Sequence, residues 1–439
     1  RKPRNYPPGF DGVPLLGCLP FLGPQPAKTI MEWSKTYGDV FYVKYATQNV
    51  VMINSLQAIK ETMIKQGHIF SGRQHTFITK FTAGDAGLGF LDYGSVWRSQ
   101  RRFGIITLHE FGVGRKCLGP QILEEAELMC AEMAKHGGQP FDCMKHITPA
   151  VTNVIGVLVF GKRFEYDDPK LLATLRLLFE CGHKFPFALF YFAPFLRFIP
   201  PWKGKIDNVK KERAPMWNMI TNAIEEHEAT YNENSCRDFI DCFIAKMKEA
   251  DDDPNDNDET ASWWNKYQLF HYVKELFLGG TDTTATALRW ALLLIHTNPE
   301  IAKKLKAEID NNVTGRVKLD DMINLPYTQA VIQEVFRYRP VVNFGTMRKT
   351  SAVGTAAGYR IPKGTIVMPN IWSVHHDPVR WKNPEVFRPE RHIDENGKFK
   401  KSDAVIPFNV GQRSCLGRQL AQTEIFIFLV RMMQKFDFK

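Results

Sequence analysis

The sequence lacks most of the patterns that settle a function at once. It contains no CxxC pair and no HExxH, which excludes the common zinc arrangements. Neither common Gly-rich phosphate loop occurs, so no nucleotide site is legible. No apolar run reaches about 18 residues, so no stretch of this sequence is expected to cross a bilayer as a helix. Long Lys/Arg runs, zinc fingers and RNA-binding aromatic signatures are missing, which argues against nucleic acid as a partner. There is no internal repeat, no initiator Met and no signal peptide. Cysteine is sparse: eight in 439 residues, and a disulfide scaffold is not expected in so large a chain. Seven of them (Cys18, Cys117, Cys130, Cys143, Cys181, Cys236 and Cys242) read as free thiols of a reducing compartment.

What is present is a globular composition, 44% hydrophobic and 24% charged, with 32 Phe and a net charge of +10. A basic balance points to an acidic partner, either anionic lipid or an acidic protein once nucleic acid is set aside. The chain opens on Arg1-Lys2-Pro3-Arg4 and Pro7-Pro8-Gly9. Such a stretch reads as a stiff segment after a membrane anchor, or as an ordinary terminus. The segment Phe185–Pro201 is almost wholly apolar and broken by prolines. It is either a buried connector or a loop dipping into a membrane interface, with Trp202, Lys203 and Lys205 at headgroup level. Glu249 to Glu259 reads as a solvated loop.

Hydrophobic periodicity predicts a mainly α protein with a small β-rich portion, in one domain. Helices are expected at about 26–36, 95–108, 117–136, 145–160, 168–184, 207–231, 237–249, 262–296, 298–309, 325–338 and 416–434. A hairpin is expected at 40–54, and strands within 342–369.

Three constellations carry chemistry. Cys415 lies in Phe408-Asn409-Val410-Gly411-Gln412-Arg413-Ser414-Cys415-Leu416-Gly417, ahead of the last helix. A thiolate held by backbone N–H groups there is a metal ligand or a nucleophile, and no His or Lys near it in sequence offers a base. The long helix carries Gly279-Gly280-Thr281-Asp282-Thr283-Thr284 amid apolar neighbours. Paired glycines cost a helix about 1 kcal/mol each relative to Ala, so this is a kinked packing helix or one leaving room against its backbone. Glu334 and Arg337, three apart, share a helix face in apolar surroundings, and a buried pair needs a further partner, for which Arg391 is a candidate.

With these residues in view, the chain resembles the cytochrome P-450 superfamily of haem-thiolate monooxygenases. Phe408, Gly411, Arg413, Cys415 and Gly417 meet its haem-ligand motif, F-x-x-G-x-R-x-C-x-G. Gly279 to Thr284 meet its oxygen-activation motif, Glu334, Arg337 and Arg391 its ExxR triad, and Trp97 and Arg101 its W-x-x-x-R, all in family order. Phe70-Ser71-Gly72-Arg73, Arg237-Asp238-Phe239-Ile240-Asp241 and the proline-rich start are most similar to the microsomal branch acting on drugs, steroids and fatty acids.

The resemblance implies a P-450 fold with haem b between the long helix and the last helix, and Cys415 as the axial ligand to its iron. It assigns Phe408 to pack beside the sulfur, and Arg413, Arg101, Trp97 and Arg348 to the haem propionates. Gly279 and Gly280 are implied to form the oxygen-binding groove, and Asp282 and Thr283 to deliver protons. Val342, Phe344 and Leu278 are implied to line an apolar substrate pocket. Asn409 departs from the Gly or Ser of many relatives, and a tighter turn is expected there.

No flavin or nicotinamide motif is present, so electrons are expected from NADPH through NADPH-cytochrome P-450 reductase, with cytochrome b5 as a second donor. Arg98, Arg102, Lys116, Arg413, Arg418 and Lys435 are candidates to steer an acidic partner. The implied location is the cytoplasmic face of the endoplasmic reticulum membrane. Residues 1–439 then read as a single catalytic domain, without the anchor that would precede Arg1 or the strands that would follow Lys439. The expected reaction is insertion of one atom of O2 into a small lipophilic substrate. Alternatives are a peroxide or lipid rearrangement and a non-catalytic haem-binding protein. Retention of Asp282 and Thr283 favours the first.

Overall fold

A computed structural model describes residues 3–115, 118–177, 187–252 and 259–438. Lys116, Cys117, Cys181, Phe185, Pro186 and most of the acidic insert therefore lie outside the described residues.

The centre of the molecule is the long helix Lys266–His296. Asn265 starts it by accepting the Gln268 N–H on its side chain at 2.9 Å, a standard N-cap. Its apolar positions, among them Leu269, Tyr272, Val273, Phe277, Ala285, Leu288, Ala291 and Ile295, are buried almost all round. Helix Met144–Phe160 packs along one side and helix Arg418–Lys435 along another. Gly280 lies at the closest approach to the first, where a Cβ would stand 3.0 Å from the Ile155 side chain and press it aside. Helices Ser95–Glu110, Leu118–Ala134, Phe239–Asp252, Pro299–Asn312 and Pro326–Tyr338 complete this helical core.

A five-stranded sheet with its own apolar clusters forms the second part of the fold. Strands β1 (Gly9–Phe10), β2 (Val40–Tyr45), β3 (Gln48–Ile53), β4 (Arg348–Lys349) and β7 (Ile366–Pro369) run in the order β1-β2-β3-β7-β4. The hairpin pairs Val40 with Ile53, and β7 joins β3 in parallel, Val50 opposite Ile366. Strands β5 (Gly354–Ala356) and β6 (Tyr359–Ile361) form a separate hairpin. On the edge, Lys349 donates its N–H to the Gly72 carbonyl at 2.9 Å. A Cβ on Gly72 would stand 2.6 Å from the Lys349 carbonyl oxygen, so only glycine permits this contact. The result places Arg348 beside Arg73, far apart in sequence.

Element positions agree with the periodicity to within a few residues. The helix expected at 207–231 begins at Trp202, and the one expected at 168–184 is seen as Pro169–Arg176, with 178–184 outside the described residues.

Candidate active site

The Cys415 loop is built by turn chemistry. Cys415 donates its N–H to the Phe408 carbonyl at 2.9 Å, and Ser414 to the Gly411 carbonyl at 3.0 Å. Gly411 has φ +77°, and a Cβ on it would stand 1.8 Å from the Met63 carbonyl oxygen. Asn409, the departure noted above, takes φ +59° and accepts the Val410 N–H on its own side chain at 2.8 Å. Asn is among the few residues suited to that left-handed position. Phe408 is anchored edge-on against Phe336, ring centroids 5.3 Å apart.

Three exposed residues lie in the interior of the fold. Cys415 is exposed at the start of a helix whose next turns are buried. Gly279 and Thr283 are exposed in the middle of the buried long helix, one turn apart on one face. A Cβ on Gly279 would meet nothing within 4 Å, so this face borders open space. Thr283 donates its hydroxyl back to the Gly279 carbonyl at 2.7 Å. Gly280 is different: it serves the packing on Ile155, and the expectation that both glycines open a groove holds geometrically for Gly279 alone. Asp282 is half-buried and takes a 3.5 Å contact from the Thr286 hydroxyl, while the Thr283 hydroxyl is donated to Gly279 instead.

Although Cys415 is exposed, protein surrounds it on most sides. Burial therefore pushes its thiol pKa up, while the Gly417 N–H, Arg101 and Arg418 pull it back. A thiol so placed ionises when a metal cation supplies the missing positive charge.

At the Cys415 loop Arg73, Arg101, Arg348 and Arg413 gather near one another. Arg413 spends its donors on backbone carbonyls: Nε on Ser71 at 3.0 Å, Nη1 on Leu88 at 3.1 Å and Nη2 on Leu91 at 2.6 Å. Its guanidinium stacks on Trp97 at 4.2 Å, and the Trp97 N–H goes to the Leu88 carbonyl at 3.1 Å. Arg101 reaches the Ser414 carbonyl at 2.9 Å, which ties helix Ser95–Glu110 to the Cys415 loop. Arg348 is almost wholly buried, and its Nε and Nη1 have no hydrogen-bond partner among the described residues. No carboxylate is within ion-pair distance of any of the four among the described residues. Burial and the neighbouring cations hold Arg348 well below the usual guanidinium range, and burial and Arg73 bring Arg413 down to about 8. A guanidinium does not give up its proton at these values. The shifts instead measure how strongly the site favours an added negative charge. A flat group carrying two carboxylates and a cation that takes a soft thiolate fits these residues. Arg73 belongs to this cluster although the motifs do not mark it as a site residue; the Gly72–Lys349 contact and its own bonds to the Gly89 and Met347 carbonyls, at 2.6 Å and 2.8 Å, hold it there.

A second arginine cluster lies below Phe408. Glu334 and Arg337 are fully buried and paired twice, at 2.8 Å and 2.9 Å. Arg391 donates to Glu334 at 2.9 Å, the Arg388 N–H at 3.0 Å, and His392 Nε2 at 2.9 Å. Gln333 donates to His392 Nδ1 at 2.8 Å, which leaves the proton of a neutral ring on Nε2. Arg337 also donates to the carbonyls of His375 and Pro384. Burial alone would raise the Glu334 pKa, but His392, Arg337 and the Arg388 N–H outweigh it and bring it to about 2. The sequence points to Glu334, Arg337 and Arg391. It carries no signal for His392 or the Arg388 N–H, which arrive through a turn of irregular period.

Of the substrate-pocket residues, Val342 is 43% exposed, whereas Leu278 and Phe344 are half-buried against the two apolar cores. Of the steering cations, Arg98, Arg102, Arg418 and Lys435 are exposed. Arg413 is only 8% exposed, and its expected second role on the surface is corrected accordingly.

Comparison with known proteins agrees with this geometry. Residues 7–439 match the family model described as cytochrome P-450. The chain is 38% identical to rat cytochrome P-450 2J3 and 36% identical to human cytochrome P-450 2J2, covering 100% of this chain and 87% of each relative. It is 36% identical to the pig protein named vitamin D(3) 25-hydroxylase, over 99% of this chain and 87% of that one.

The chain belongs to the cytochrome P-450 family, in a branch similar to its family 2 members. It is a haem-thiolate monooxygenase acting on lipophilic substrates, with haem as cofactor and electrons from NADPH through a redox partner.

Proposed function

We propose that Cys415 is the axial thiolate ligand and that Arg73, Arg101, Arg348 and Arg413 hold the haem propionates. The observation that supports this is the arginine cluster with orphan donors and no ion-paired acid among the described residues, beside the exposed Cys415 thiol. Haem b supplies the redox and oxygen-insertion chemistry when bound. The protein's own part is to hold, orient and supply protons. Arg101, bonded to the Ser414 carbonyl, holds the cysteine loop against helix Ser95–Glu110. Arg413, fixed by three carbonyls and stacked on Trp97, acts as a rigid positive wall. Arg348 keeps two free donors for a carboxylate. Gly279 leaves space on the opposite face, and the Thr283 hydroxyl at that space is the protein's proton donor, with Asp282 one residue before it. Leu278, Val342 and Phe344 favour an apolar substrate by excluding water.

The test is spectral. Reduced protein exposed to carbon monoxide should show the strongly red-shifted Soret band of a thiolate-ligated haem, and Cys415→Ser should lose it. A haem-loaded protein without that band would overturn the assignment.

The redox partner we propose is the acidic flavoprotein NADPH-cytochrome P-450 reductase, with cytochrome b5 as a second donor. Exposed Arg98, Arg102, Arg418 and Lys435, none ion-paired among the described residues, support it. Reversing all four charges should slow reduction and flatten its dependence on ionic strength. The proposed setting is the cytoplasmic face of the endoplasmic reticulum. No helix among the described residues is long and apolar enough to cross a membrane. Leu15, Leu16 and Phe21 are exposed, as are Phe195, Phe198 and Ile199, which lie in the apolar segment singled out above. Both segments pack on one apolar cluster, so they share a side of the molecule suited to a lipid surface.

A further inference from the structure

A cavity of about 500 Å³ has no part in the roles above. One wall is the unbroken stretch Val405 to Val410, which leads into the Cys415 loop, while Cys415 itself does not border it. A second wall is helix Pro326–Tyr338, through Ile332 and Phe336. The third is helix Arg418–Lys435, through Arg418, Gln422 and Phe426. The volume falls within the range of about 300–1,000 Å³ that small-molecule sites occupy.

The lining changes character with depth. Phe336, Ile406 and Phe426 are buried, and Ile332 and Phe408 are partly buried against the helical core. Lys401, Asp403 and Arg418 are exposed. The cavity therefore runs from a charged mouth to an apolar end. Four charged side chains border it: Lys60, Lys401, Asp403 and Arg418. Lys60 is ion-paired with Asp403 and holds its carboxyl below the usual range. Lys401 and Arg418 have no acid within ion-pair distance among the described residues. Two spare cations over an apolar end complement a molecule with one anionic head and a hydrocarbon body. A neutral lipid would leave both cations without a counter-charge, and a cationic one would be repelled. The planar fork of Arg418 suits a carboxylate in particular.

We propose that this cavity binds a lipophilic carboxylate, its head on Arg418 and Lys401 and its chain along Ile332, Phe408 and Phe426. The site is separate from the apolar substrate pocket, whose residues Leu278, Val342 and Phe344 do not border it. Arg418 is also one of the four cations offered to the redox partner, so a bound carboxylate withdraws it and slows electron delivery. That consequence, unlike the binding itself, rests on the partner reading given above.

Decanoate is the probe. Holoprotein saturated with an iron-binding azole, which fills the substrate side, should still bind one equivalent of decanoate by titration calorimetry. Decanol should bind at least about tenfold more weakly. Ile332→Trp fills the cavity and should abolish this binding, and Lys401→Glu should weaken it about tenfold. Absence of binding, equal affinity for decanol, or wild-type affinity in Ile332→Trp would each overturn the proposal. Lys401 is a surface position, so unchanged affinity in Lys401→Glu overturns it even if Ile332→Trp does not fold. Decanoate carrying a diazirine at the chain end should label peptides within 322–336, 399–410 and 418–426. Label confined to other segments would overturn the site.

Without the azole, decanoate should slow reduction by the reductase about threefold in wild type and not in Ile332→Trp. An unchanged rate with the cavity occupied would refute the effect on electron delivery. Failure of the four-charge reversal would instead refute the partner reading and leave the binding site standing. A red-shifted carbon monoxide band retained by both variants separates all of these from failure of the thiolate assignment.

Discussion

Two buried arginine clusters lie on either side of the Cys415 loop, and they differ in whether an acid is ion-paired within them. Around Glu334, every charge meets its opposite inside the chain, at 2.8–2.9 Å from Arg337 and Arg391. Around Arg348, four cations gather with two orphan donors and no ion-paired acid among the described residues, Asp92 and Glu275 acting on Arg73 and Arg413 only from beyond ion-pair distance. A closed cluster fixes geometry, whereas an open one carries a standing preference for an anion from outside the chain. The difference separates scaffold from site more clearly than burial does, since Arg337 and Arg348 are equally enclosed.

The largest expected effect comes from opening the closed cluster. Glu334→Ala leaves Arg337 and Arg391 without their acid and should cost about 3–5 kcal/mol, read as a lower denaturation midpoint or loss of soluble protein. A variant as stable as wild type would end the distinction. Acid opens the same cluster reversibly. The folded pKa of Glu334, about 2, lies below its unfolded value, so its contribution is complete above about pH 4.3 and is lost as pH falls through about 2. That contribution, about 3 kcal/mol, should appear as a difference between wild type and Glu334→Gln that vanishes in acid unfolding curves.

Changing the open cluster should act in the other direction. Arg348→Leu removes an uncompensated charge, so the haem-free protein should gain about 1 kcal/mol. The same variant should release haem about tenfold faster, because a charge-assisted contact of about 1.4 kcal/mol is lost. Transfer to apomyoglobin measures the second, and a variant that destabilises the haem-free protein would show that the cluster is scaffold after all. The smallest effect is expected at Gly279→Ala, which should stabilise the helix by about 0.5–1 kcal/mol while narrowing the space before Thr283. Gly280→Ala should instead destabilise, since its Cβ meets Ile155 at 3.0 Å.

These two glycines show where reading the sequence stops. Both read alike there, as helix-weakening residues beside Asp282 and Thr283. Only the packing of helix Met144–Phe160 tells them apart, because it sets which side of the long helix is pressed and which is open. Periodicity marked the helices well because apolar spacing is a local property of the chain. Arg73 and His392 were not legible as site residues, since each acquires its role from neighbours dozens to hundreds of residues away. Arg413 could be read as a haem contact and a surface cation at once; burial allows the first and excludes the second.

By itself the sequence determined the mainly helical architecture, the turn that presents Cys415, and the ExxR pair, because hydrophobic spacing, glycine positions and i,i+3 contacts are all short-range. The tertiary structure alone decided which charges are paired and which are left open. That outcome depends on contacts such as Gly72–Lys349 and on the turn that brings Arg391 and His392 onto Glu334, and electrostatic balance in a buried site is a sum over neighbours that chain order does not reveal.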